Sequence, residues 1–162
     1  MNDLALSLSP AGWLHVLLAL CAVTIGLSLL SRRKGDRQHR MWGYGFVLVM
    51  YVSNLAAILV YHGSYSFVVF HWLAYFNFVS VFVGLLMARL ARGRPGWAVV
   101  HGHVMAWSFA GLVAAGAGQT AAQLGGPVWP TIGVVFVLAG LMIVRGRIDQ
   151  VVSQAQARAQ TE

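Results

Sequence analysis

The sequence predicts an all-α protein, a polytopic transmembrane helix bundle of about five spans, with its N-terminus outside the cytoplasm and its C-terminus inside. Three observations predict it. Only 9% of the 162 residues are charged and 59% are apolar, whereas a soluble domain has roughly 25% charged residues. The apolar residues come in long unbroken runs rather than amphipathic stripes, and a soluble core of this size could not hide them. All eleven Lys and Arg residues fall in segments that five crossings would place on one side of a membrane.

The first run, 11–30, follows Pro10, a good first-turn residue, and is long enough to cross a hydrocarbon core of ~30 Å. The segment before it has no Lys or Arg and carries Asp3, while the basic residues come after it. That order favours a retained helix over a cleaved signal peptide. The second run covers 42–61 and is followed by a short polar turn, His62-Gly63-Ser64-Tyr65-Ser66. The third run, 67–88, ends before a loop in which Gly93, Pro95 and Gly96 stop the helix. The fourth run, 97–123, is rich in small residues and closes at Gly125-Gly126-Pro127. The fifth, 128–144, is short for a span and has Pro130 near its start. Residues 1–144 thus read as one transmembrane domain and 145–162 as a cytoplasmic tail. In that tail Ile148, Val151, Val152 and Ala155 keep a helical spacing, so the last helix is expected to project beyond the membrane.

The basic residues set the orientation. Arg32, Arg33, Lys34, Arg37 and Arg40 lie in the first linker. Arg89, Arg92 and Arg94 follow the third run, and Arg145, Arg147 and Arg158 follow the fifth. Cytoplasmic loops carry the Lys/Arg excess, which makes the chain N-out and C-in. The net charge of +7 is explained by this placement, so it does not indicate nucleic acid; anionic lipid head groups are a secondary partner for it. Cys21 is the one cysteine, so no intrachain disulfide can form, and it reads as a small packing residue.

The six histidines are the candidates for chemistry, because ionisable residues within spans are costly and point to function. His15, His62 and His71 fall toward the outer leaflet, His39, His101 and His103 toward the inner one. His15 and His71, each about four residues into its run, are expected at matched depth, ~6 Å from the outer helix ends. Together they suit one haem b, or with His62 one metal ion. At the inner end His101 and Met105 share a helix face and His103 does not. A site there would use His101 or His103 with His39. Simple hydrogen bonding to head groups, water or a neighbouring helix remains the competing reading for all six, and a proton or quinone role a further one.

Asn54 and Asn77 fall near mid-membrane on neighbouring helices and are expected to pair as a structural polar contact. Gln119 and Gln123 stand near the outer histidines. Small residues form ridges on the first helix (Gly12, Ala19, Ala22, Gly26) and on the fourth (Gly102, Ala106, Ala110, Ala114, Ala117), permitting close helix approach. Trp13, Trp42, Tyr44, Tyr61, Tyr65, Trp72, Trp97 and Trp129 read as interfacial belts. Tyr51, Tyr75, Phe78 and Phe82 lie deeper, where they serve packing or line a quinone or haem pocket. No hydrolase triad, phosphate loop or carboxylate pair is present, and none of the four acidic residues lies in a run. Enzymatic activity is therefore not indicated, and the lack of span carboxylates argues against carboxylate-driven proton pumping.

Leu14-His15, the stretch His39-Arg40-Met41-Trp42-Gly43, His71-Trp72-Leu73 and His101-Gly102-His103-Val104-Met105 resemble a family of small bacterial membrane proteins known as domain of unknown function 2306. The resemblance covers roughly 11–120. It implies a helical membrane bundle with a few recurring histidines, here His15, His39, His71 and His101 or His103, and it brings no established activity. Three functional readings follow. The first is a histidine-ligated haem b or transition-metal protein in electron transfer or metal handling. The second is an accessory subunit packed into a larger membrane complex. The third is a small-solute transporter, which the lack of charged pathway residues and paired broken helices weakens.

Overall fold

A computed structural model describes residues 10–59 and 69–145 of the chain. The polar turn with His62 and the tail from 146 onward lie outside the described residues, and so do Arg147, Arg158 and the expected helical projection. The described residues form five α-helices: α1 (Pro10–Ser31), α2 (Arg37–Leu59), α3 (Val69–Leu90), α4 (Trp97–Gln123) and α5 (Val128–Arg145). Four of them, α1 to α4, are long and apolar enough to cross a membrane. The 18 residues of α5 reach about 27 Å at 1.5 Å each.

In lipid a backbone must satisfy its own polar groups, so apolar runs of this length fold as helices. The hydroxyls inside them do the same. Thr24, Ser28, Ser80, Ser108, Thr120 and Thr131 each donate to the carbonyl four residues back, which hides the group from lipid. α2 begins five residues before the apolar run, because the Asp36 carboxylate accepts from the His39 backbone N–H at 2.5 Å and caps the helix. α4 ends in a Schellman motif. Gly126 N–H donates to the Ala121 carbonyl at 2.7 Å and Gly125 N–H to the Ala122 carbonyl at 3.2 Å, with Gly125 at φ 70°, a conformation glycine adopts freely. Pro127 then prevents continuation.

Contacts along the chain make consecutive helices antiparallel. His15 meets Ser53, and Gly26 faces Phe46, across α1 and α2. Tyr51 meets Phe78, and Tyr44 meets Arg89, across α2 and α3. Asn77 meets Ser108, and Gly84 meets His101, across α3 and α4. Gly118 faces Ile132, and Gly140 faces Trp107, across α4 and α5. α1 also reaches α4, where Gly26 faces Phe109. The α1–α2 linker, the α3–α4 loop and the end of α5 therefore share one end of the bundle, called the basic end below.

The core is thin. Ala22, Phe46, Val47, Met50, Val81 and Leu112 form it, while Leu17, Leu48, Leu55, Phe76 and Val137 face outward, as lipid-exposed helices require. The small-residue ridges serve this core. Gly12, Ala22 and Gly26 of α1 and Ala110, Ala114 and Gly118 of α4 are buried within the chain's own bundle.

Candidate functional site

At the basic end, His39 sits in the first turn of α2. Its ring Nδ1 is buried and has no hydrogen-bond partner. Lys34, His101, Asp36 and Arg40 surround it within electrostatic reach. Lys34 donates to the carbonyls of Leu29 and Leu30 at the end of α1, closing that helix as a basic C-cap. Burial pushes its ammonium below the usual lysine value. Arg40 donates to the Gly35 carbonyl at 3.0 Å, and Arg32 lies 5.5 Å over the Trp42 ring.

His101 Nδ1 lies 2.8 Å from the Gly84 carbonyl of α3. A carbonyl only accepts, so Nδ1 carries the proton that makes this bond. Met105, one turn along α4, packs its thioether against the same Gly84, so His101 and Met105 face α3 together as the spacing predicts. Trp97 lies 6.3 Å from the His101 ring. His103 behaves differently: its Nδ1 donates to the Val99 carbonyl of its own helix at 2.9 Å. Of the inner histidines, the structure therefore relates His101 to His39.

Toward the other end, His15 Nδ1 donates to the Ser53 carbonyl at 2.9 Å, and the Ser53 hydroxyl lies 3.1 Å from the same nitrogen. His71 is buried, 9% exposed. His62, the third member of the expected outer metal site, lies outside the described residues. Among the described residues no cluster of three or more His, Cys, Asp or Glu side chains could hold a metal ion.

Asn77 Nδ2 donates to the Ser108 carbonyl of α4 at 3.0 Å. The expected direct bond to Asn54 is not made, because the Asn77 amide nitrogen turns toward the opposite neighbour. Tyr51, Val52, Leu55, Phe78, Phe82 and Leu85 line a groove of about 430 Å³ between α2 and α3, which brings three of the deeper aromatics together. Sequence reading missed Ser53, Gly84 and Ser108, the partners that orient His15, His101 and Asn77. Ser53 carried a signal, as a polar neighbour of Asn54 within an apolar run; Gly84 carried none.

The family model for predicted membrane proteins of the DUF2306 type matches residues 12–145. The chain belongs to this family. The match includes every described histidine and reaches from the first turn of α1 to the end of α5. No curated protein and no solved structure matches the chain. The family description states membrane residence and no activity, so any role for this DUF2306 member rests on its own side chains.

Proposed function

We propose that the chain is a multi-pass protein of a bacterial cytoplasmic membrane, N-out and C-in, in which His39 and His101 ligate one transition metal, carried in haem b or as a single ion, for electron transfer. The relation of these two rings carries the reading. His101 Nδ1 is held by the Gly84 carbonyl, the outer-shell arrangement that fixes a ligating histidine and raises its basicity. His39, on the neighbouring α2, lies within electrostatic reach of it and has a buried, unpartnered ring nitrogen. Two imidazoles suffice as axial ligands of haem iron, whereas a closed zinc site needs four protein ligands. When bound, the metal supplies a one-electron couple. The α2–α3 groove reaches Leu85, the residue after His101's anchor, and its apolar aromatic wall suits a membrane quinone as electron partner.

The test is an absorption spectrum and a metal analysis of protein purified in mild detergent from cells supplied with haem precursor and trace metals. A Soret band, or bound metal without one, separates the two forms of the site. Colourless, metal-free protein would overturn it and favour an accessory subunit. Of the small-residue ridges, Gly12, Ala22, Gly26, Ala110 and Ala114 are already buried within this chain's own bundle. A small-solute transporter would instead show uptake in liposomes.

The orientation has its own check. A cysteine replacing Arg92, which is exposed in the α3–α4 loop, is expected to react with a membrane-impermeant maleimide in inside-out vesicles and to stay unlabelled in intact cells. Labelling in intact cells would reverse the assignment.

A further inference from the structure

The α2–α3 groove and the basic end meet at one pair of residues. Along α3, Phe78, Phe82 and Leu85 line the groove, and Arg89 continues their row one turn further. A helical side chain leans over the turn before its own Cα, so Arg89 covers the turn that carries Leu85. Tyr44 meets it from α2. The Arg89 Nε–H donates to the Tyr44 hydroxyl at 3.2 Å, and the guanidinium carbon lies 5.1 Å from the centre of the Tyr44 ring. We propose that the groove and this pair seat one anionic phospholipid from the leaflet at the basic end, with its phosphate on Arg89 and Tyr44 and one acyl chain in the groove.

The pair offers the donors that a phosphate takes. Nε is committed to Tyr44, which leaves Nη1 and Nη2, the prongs of the guanidinium fork, for two oxygens of one phosphate. The Tyr44 hydroxyl accepts from Arg89 and keeps its own proton to donate. Both side chains are exposed. Among the described residues the one carboxylate is that of Asp36, and it caps α2. Arg37, Arg40, Arg92 and Arg94, all exposed, add to the positive potential at this end, which an anionic leaflet complements.

The groove has the dimensions of one chain. From Phe78 to Arg89, α3 rises ~16 Å, half of a hydrocarbon core of ~30 Å and hence one leaflet. The groove volume of about 430 Å³ lies within the roughly 300–1,000 Å³ of ligand clefts. Val52, Leu55, Phe78 and Phe82 are exposed, so the trough is open to the bilayer along its side and a chain enters without a portal. A quinone tail fits the same wall, but a quinone head is neutral and leaves the guanidinium without a counter-charge, whereas a phosphate supplies one. A quinone serving as electron partner therefore exchanges with this lipid. The lipid seat itself does not depend on His39 or His101.

Native mass spectrometry of the protein in mild detergent, titrated with phosphatidylglycerol or with phosphatidylcholine, tests this without reference to metal content. Unmodified protein is expected to retain one phosphatidylglycerol several-fold better than phosphatidylcholine. Arg89→Gln is expected to abolish that preference, whereas Arg94→Gln, in the loop beyond α3, preserves it. Val52→Trp, which fills the groove from an exposed position, is expected to lower retention several-fold with Arg89 intact. Leu55→Trp gives the same reading should that variant fail to fold. Equal loss in Arg89→Gln and Arg94→Gln would reduce the attraction to diffuse charge and overturn the proposal. So would phosphatidylglycerol retention that survives the tryptophan substitutions, or the lack of any preference in unmodified protein.

Discussion

Replacing His101 with alanine is expected to lower bound haem or metal more than tenfold, while replacing His103 leaves the content within a factor of two. Loss of a hydrogen-bond partner behind a ligand alone typically costs ~10–100-fold in metal affinity, and removing the ligand costs at least as much. The two residues share a helix and lie two positions apart, yet they occupy opposite situations. His101 is anchored across the α3–α4 interface on Gly84 and lies within electrostatic reach of His39. His103 turns back on Val99 of its own helix. His39→Ala is expected to match His101→Ala, since each supplies one of two ligands. Cofactor content is read from the Soret band or from metal per protein, with monodispersity in detergent as the folding control. Equal loss from all three variants would mean that the histidines support the fold and hold no metal between them.

The contrast between His101 and His103 was partly legible from spacing, because residues two apart on a helix point to different sides. So was the bundle itself. A bilayer allows an apolar run few alternatives to a helix, and α4 occupies the expected 97–123 span. The start of α2 was less legible. Arg37, Gln38, His39 and Arg40 read as a polar linker, and only the Asp36 cap with its 2.5 Å bond to the His39 N–H draws them into the helix. Partners across helices were the least legible. Whether His15 meets Ser53 or His71 depends on how far α1 is rotated and shifted against α2 and α3. One apolar run carries little record of that phase, since nearly every face of it is hydrophobic. Asn54 and Asn77 show the same limit: their depth was readable, but the direction of the Asn77 amide was set by α4. The glycines that decide the phase are visible in sequence only as members of a ridge.

Gly26 is the clearest of these, and Gly26→Leu is expected to destabilise the bundle by about 1–3 kcal/mol, the usual cost of overpacking a filled core. A Cβ at this position would run into the Phe109 ring of α4 and stand 3.2 Å from Phe46 Cε2 of α2. Both neighbours belong to or pack on the central cluster, and their rings lie 6.5 Å apart, tilted at 49°, so neither can retreat without disturbing the other. Yielding would have to come from α1 as a whole. The displaced helix would also strain the His15–Ser53 bonds, because they lie on the same α1–α2 interface. Gly43→Ala is the matched control. It lies within α2 with nothing within 4 Å of an added Cβ, and alanine favours a helix over glycine by up to ~1 kcal/mol; it should leave stability unchanged or slightly raised. Unfolding in mixed micelles, followed by helical circular dichroism against the mole fraction of denaturing detergent, reads both. A Gly26→Leu midpoint equal to that of Gly43→Ala would show that α1 does not seat against Phe109.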